Sequence, residues 1–386
     1  TTCNGTATNI NLALSGKSPW SITYTGSDGS TTVTTISSNN STIYTTGNPY
    51  LRNLSVSPSA TTTYSVTSLS DALCASIASD LTGAATVTVN PRPQANIAVA
   101  GNGIICNADA TTITVTLTQG TAPWAFTYTT NNGGNSTPTT VSGIQSNSYT
   151  FTVSPSSTTT YSLTALSDAN SCVAQSSDIN SNATVTVNPR PTAVISGGTT
   201  ICNGGSTELS VALTGTQPWS LTYTTNYGGN STPTTVFGIT TSTYTFSVSP
   251  STNTTYSLTA LSDNNSCNAQ SLEDINSSTI VSVNERPTAL LSGTPITCDG
   301  TPTTIEVSLT GHSPWSLTYA SSTGSPVTLT ISAPNNAFYP IGGTPYTTTL
   351  SVTPSSTTNY TITGLSDALC NSIASDLTGN ATVTVN

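Results

Sequence analysis

The 386-residue chain carries five basic and fifteen acidic side chains, a net charge of −10, and only 5% of its residues are charged. So little positive charge excludes nucleic acid and anionic membrane surfaces as electrostatic partners. No apolar run approaches the roughly 20 residues needed to cross a bilayer, so membrane insertion is not expected.

Read from its start, the chain repeats one pattern. Trp20, Trp124, Trp219 and Trp315 follow one another at spacings of 104, 95 and 96 residues. Each stands in the same context: a Cys, an alternating run, Gly-x-x-Pro-Trp, a Tyr, then Ser-Pro, Thr-Tyr, Leu-Ser-Asp and a second Cys before Val-x-Val-Asn. A period of about 96 residues is domain-sized, large enough to bury a core of its own. The expected division is 1–90 (lacking its first strand), 91–188, 189–284 and 285–386. Thr1-Thr2-Cys3-Asn4-Gly5 matches a stretch inside the third repeat, Thr199 to Gly204, so the chain reads as part of a longer array.

The third repeat shows the expected elements in order. Thr192–Ile195 is a short first strand, and Glu208–Thr214 alternates apolar and polar residues with period two. After a turn at Gly215–Pro218, Trp219–Tyr223 places Trp, Leu and Tyr on one face. A Gly-Gly turn leads to a polar strand near 234–239, then come Tyr244–Val248, Tyr256–Leu261 and Ile280–Val283. Seven short strands without helical periodicity predict an all-β fold: four tandem immunoglobulin-like β-sandwich domains. The Trp of the third strand and the Tyr opening the sixth (Tyr64, Tyr161, Tyr256, Tyr360) read as core residues, the latter at a tyrosine-corner position.

The joints Asn90-Pro91-Arg92-Pro93, Asn188-Pro189-Arg190-Pro191 and Asn284-Glu285-Arg286-Pro287 are short and Pro-restricted, hence semi-rigid. They predict a linear rod of about 150 Å, with each sandwich spanning roughly 35–45 Å. The first and fourth repeats share a longer insertion and the second and third a Gly-Gly hairpin, giving an A-B-B-A order.

Eight cysteines, two per repeat and without zinc-type spacing, predict disulfides in an oxidising compartment. A self-sufficient pair in each repeat suggests Cys3–Cys74, Cys106–Cys172, Cys202–Cys267 and Cys298–Cys370. Strict strand alternation, however, places the two cysteines of one repeat at opposite ends, about 30 Å apart. The loops must then fold back along the sandwich, or the bridge must join one repeat to its neighbour.

Catalytic chemistry is not expected. His312, the sole histidine, lies at a turn, and lysine–asparagine cross-links need a lysine in each domain, whereas Lys17 is the only one. No cofactor is implied. The Asp of Leu-Ser-Asp (Asp71, Asp168, Asp263, Asp367), facing Asp80, Asp178, Asp274 or Asp376 across the same loop, reads as a cap on backbone amides, with calcium binding as the alternative. The insertions at 37–50 and 332–346 carry Tyr44, Tyr50, Phe338, Tyr339 and Tyr346; Tyr50 and Tyr346 are the candidate contacts for surface glycans.

The full string is Ile-Cys-Asn-Gly, Leu-Thr-Gly-x-x-Pro-Trp-x-x-x-Tyr, Val-Ser-Pro-Ser-x-Thr-Thr-Tyr, Leu-Ser-Asp, Cys, and Ala-Thr-Val-Thr-Val-Asn-Pro-Arg-Pro. In this it resembles the tandem Ig-like repeats of giant surface adhesins of Bacteroidetes, among them the SprB-type gliding adhesins exported by type IX secretion. The resemblance covers all four repeats. It implies an extracellular, cell-surface filament used in adhesion or gliding motility, whose partners are neighbouring repeats of the same chain and, through lateral self-assembly, other copies.

Overall fold

Alternation in short Thr- and Val-rich runs gives strands throughout the computed structural model, which describes residues 1–39, 42–270, 274–275 and 277–386. The chain forms two compact units, Thr1–Asn188 and Pro189–Asn386, each holding two hydrophobic cores. One core gathers around Leu14, Trp20 and Ile22, the next around Ile113, Phe126 and Val185. In the second unit the cores centre on Leu209, Trp219 and Leu221, and on Ile305, Trp315 and Val383.

The second repeat shows the topology. Ala95–Val99, Thr111–Leu117 and Ser148–Val153 make a three-stranded antiparallel sheet. Facing it is a five-stranded sheet in the order Ile104–Cys106, Asn182–Asn188, Thr159–Ser167, Trp124–Asn132, Asn135–Ile144. The two sheets bury their inward faces against each other, the immunoglobulin-like sandwich. The opening strand is split: Ala95–Val99 joins one sheet, and Ile104–Cys106 crosses to the other, pairing parallel with the last strand so that Cys106 lies opposite Asn188. The same parallel pair recurs with Cys3 opposite Asn90 and Cys202 opposite Asn284. Only three residues long, this strand offers too little alternation to be read from sequence.

Each Trp follows a cis Pro and donates its indole N–H to the carbonyl oxygen five residues earlier: Trp20 to Ser15, Trp124 to Gln119, Trp219 to Thr214, Trp315 to Thr310, at 2.8–3.1 Å. Three of the four are buried; Trp124 is only half-buried, and Phe126 fills the centre of its core. Tyr64, Tyr161, Tyr256 and Tyr360 are all buried against an aromatic neighbour, 6.2–6.4 Å between ring centres, and burial pushes their phenols above the ordinary value. Two residues upstream of each Tyr, a buried Thr (Thr62, Thr159, Thr254, Thr358) donates its hydroxyl to the carbonyl two residues back, at 2.6–2.8 Å. On the outer faces, hydroxyls pair across strands, as in Thr127 with Thr140, Thr222 with Thr235 and Thr318 with Thr328. Such pairs stabilise neighbouring strands without charge, which is how so neutral a surface remains consistent with an ordered sheet.

Candidate functional site at the module junctions

The cysteines form a pattern that overturns the expected pairing. Cys3 bonds Cys172, and Cys202 bonds Cys370, with Cα–Cα separations of 5.6 and 5.8 Å. None of the four bridges within a repeat exists. Cys3–Cys74 and Cys106–Cys172 fail because Cys172 is taken by Cys3, and Cys202–Cys267 and Cys298–Cys370 fail because Cys370 is taken by Cys202. Cys106 and Cys267 are disulfide-bonded as well, whereas Cys74 and Cys298 are free and exposed.

Strand direction explains the outcome. The first Cys ends the short parallel strand, level with the Asn that closes the repeat, and so sits at the exit end. The second Cys follows the sixth strand, which runs antiparallel to the last one, and so sits at the entry end. Two cysteines at opposite ends of one sandwich cannot meet, because a disulfide needs Cα atoms within about 7 Å. The exit end of one repeat and the entry end of the next can.

An arginine from the joint reinforces each described bridge. Arg92 donates through Nε to Asp178 Oδ2 at 2.9 Å and through Nη1 to the carbonyl of Asn4 at 2.8 Å. Arg286 does the same with Asp376 (Nε to Oδ2, 2.7 Å; Nη2 to Oδ1, 3.3 Å) and with the Asn203 carbonyl. One guanidinium thus holds the residue after the first Cys of one repeat and a carboxylate of the next. The following proline, Pro93 or Pro287, is buried in the next repeat, so the joint is seated rather than loose. Arg286 holds Asp376 below the ordinary carboxyl range against the opposing effect of burial. For Asp178, burial is the largest influence and raises its pKa, but the Gln175 N–H and Arg92 together outweigh it, and the carboxyl lies below the ordinary range.

The Leu-Ser-Asp carboxylates shape the loop that presents the second Cys. Asp168 Oδ1 accepts from the N–H groups of Asn170 (3.0 Å) and Cys172 (2.9 Å), and Oδ2 accepts from Thr121 (3.0 Å). Asp71, Asp263 and Asp367 repeat the scheme with Leu73, Cys74 and Lys17, with Asn265, Cys267 and Thr216, and with Leu369, Cys370 and His312. The three amides bonded to Asp71 hold that carboxyl below its usual range. Across the loop, Asp80, Asp178 and Asp376 each cap a one-turn 3-10 helix by accepting the N–H three residues earlier, and Asp274 accepts from Gln270. Both sets of carboxylates are therefore committed to backbone amides. Among the described residues, no group of three or more His, Cys, Asp or Glu side chains is placed to hold a metal ion.

The insertion aromatics turn inward. Tyr50 stacks on Trp20 (5.3 Å, 16°) and Tyr346 on Trp315 (5.5 Å, 18°), with Tyr44 and Tyr339 tilted against the same indoles. These rings close one end of the core, so one face of Tyr50 and of Tyr346 is already covered by indole. Phe338 stacks on His312 at 4.3 Å on a small two-stranded ribbon. Within the loop 37–50, Asn40 and Ser41 lie outside the described residues.

No family model and no curated protein matches the chain. It is similar to several solved structures. One concerns host cell surface retention of a 1.5-MDa bacterial ice-binding adhesin, with 14% identity and a TM-score of 0.32 over 76% of this chain and 98% of that one. A tetra-tandem repeat from the extending region of a large adhesion protein gives 14% identity and a TM-score of 0.30 over 99% and 96%. The I9–I11 tandem of titin gives 10% and 0.26 over 76% and 97%. The fold assignment rests on the strand register described above.

Proposed function

We propose that the chain is a tension-bearing stalk segment of an extracellular, cell-surface adhesin, holding a distal part away from the cell and passing force along its length. The observation that carries this reading is that the described disulfides join successive repeats instead of closing each repeat on itself. A bridge within a repeat guards that repeat's own fold. A bridge between repeats guards the continuity of the array, which matters when the array is pulled. The arginine contacts at the same joints agree with a structural role. Gliding motility, type IX export and a Bacteroidetes source belong to the same reading through the repeat string.

The test is to stretch single molecules between handles at the two ends. Under oxidising conditions the chain should resist without stepwise release of whole repeats. Sequential unravelling of repeats with all disulfides intact would show that the bridges do not carry load, and would remove this function.

A further inference from the structure

In the third repeat the strand Trp219–Tyr227 runs past its partner at the exit end. It pairs with Thr254–Ser262 as far as Asn226, opposite Thr255. Tyr227 lies one step beyond and is held only across the hairpin, opposite Asn230. Alternation puts Leu221, Tyr223, Thr225 and Tyr227 on one face, and Leu221 is fully buried, so this is the inward face. Between the overhanging end and the turn that follows Val248 is a pocket of about 400 Å³.

The rings around this pocket differ in kind. Tyr223 stacks on Phe246 at 4.7 Å and Tyr256 packs on the same ring at 6.4 Å, so both are anchored in the core. Tyr227 is 48% exposed, although the fourth repeat follows directly. Tyr50 and Tyr346, by contrast, are already covered by indole rings. Ser249, Ser251 and Thr252 carry exposed hydroxyls on the rim, whereas the Thr254 hydroxyl is committed to the Thr252 carbonyl at 2.8 Å. No lining side chain is charged.

The second repeat gives an internal comparison. Tyr128, Thr130, Pro155 and Tyr161 stand where the third has Tyr223, Thr225, Pro250 and Tyr256, but Asn132 replaces Tyr227. The fold common to both repeats therefore accounts for every ring at this end except Tyr227, an apolar plate that no core requires.

We propose that this pocket binds one pyranose ring of an uncharged glycan. A pyranose presents an apolar C–H face and a rim of hydroxyls, and the pocket offers both complements: the face of Tyr227 and the hydroxyls of Ser249, Ser251 and Thr252. A charged sugar gains no ionic partner here. A polyproline segment docks on a row of exposed aromatic rings, and here only Tyr227 is exposed. The site gives the chain a contact along its side, independent of whether the disulfides carry load.

Saturation-transfer NMR on the oxidised, intact chain with methyl β-glucoside, methyl β-galactoside and N-acetylglucosamine tests the site. At least one sugar should give a saturable signal with a Kd of about 1 mM. Tyr227→Asn installs the residue that the second repeat carries and so preserves the fold; it should weaken binding about tenfold or more. The reciprocal Asn132→Tyr should add a second site per chain. No saturable signal from any of the three at about 50 mM, unchanged affinity in Tyr227→Asn, or displacement of the sugar by a polyproline peptide would each overturn the proposal without touching the load-bearing reading.

Discussion

One carboxylate per repeat organises the loop on which the disulfides depend. Asp367 accepts three backbone N–H groups, one of them from Cys370 itself, and so fixes the direction in which the sulfur points towards Cys202. Asp367→Ala leaves those amides to seek water in a half-buried loop, and should lower the stability of the fourth repeat by about 2 kcal/mol in denaturant titration; Asp367→Asn, which keeps one acceptor oxygen, should cost less. The second carboxylate gives a pH signature. Folding depresses the Asp376 pKa through Arg286. Its contribution is therefore complete above the unfolded value, near 3.9, and is lost as pH falls through the lower folded value. For a pair whose side chains are 20% and 12% exposed, that contribution is about 1 kcal/mol. Thermal melts of Asp376→Asn against the parent chain should differ by that amount at pH 7 and converge near pH 2. Asp71, half-buried, is also depressed, chiefly by the amides of Lys17, Cys74 and Leu73, with a smaller contribution from the Lys17 charge.

The clearest contrast between elements lies in two glycines at the ends of matching stretches, Gly83 and Gly379. Both have positive φ, +86° and +75°, so any side chain adds backbone strain at either position. Only Gly379 also faces a neighbouring backbone, the Leu291 carbonyl. Gly379→Ala should destabilise its repeat by about 3 kcal/mol and Gly83→Ala by about 1 kcal/mol, the gap measuring how closely the opening strand approaches. If the two losses were equal, the opening strand would not be seated as described. These glycines also mark how far the sequence could be read. Strands such as Glu208–Thr214 and Tyr244–Val248 have enough period-two alternation to reveal themselves, and the Trp and Tyr positions follow from it. Ile104–Cys106 does not, and its crossing to the other sheet is what carries the first Cys to the exit end. The sequence already implied that the two cysteines of a repeat lie apart. One pair per repeat does not predict the bridges, because pairing depends on which ends adjoin and not on how many cysteines each repeat holds. The arginine contact was hidden for a similar reason: in Asn-Pro-Arg-Pro the prolines announce a stiff joint, but Asp178 lies 86 residues beyond Arg92. The insertion tyrosines were legible as aromatics but not as lids, since their stacking on Trp20 and Trp315 is set by tertiary packing.

Across the whole molecule, the covalent connectivity decides what happens under tension. Cys3–Cys172 encloses a sequence separation of 169 residues, and Cys202–Cys370 one of 168. Pulling on the two ends loads the short backbone segments outside those loops: the first few residues, the stretch from Cys172 to Cys202, and the tail beyond Cys370. Most strands of every repeat lie inside a loop and carry no load, so they have no mechanical reason to unfold. With extended chain spanning about 3.4 Å per residue, the loaded path of the oxidised molecule cannot exceed roughly 170 Å, however hard it is pulled. Reduction removes that limit and adds about 1,100 Å of extensible chain. Force–extension traces recorded before and after adding a thiol reductant should show this gain, while a chain carrying serine at all six bonded cysteines should release the same length without reductant. The loops also act at equilibrium. Closing a span of this size removes about 5 kcal/mol of chain entropy from the unfolded state on the entropic model, so reduction should lower the denaturation midpoint of each unit even with no force applied. A gain in length without that shift would mean that the bridges serve only under load. Both together are expected of a tether that resists breakage and stays folded between pulls.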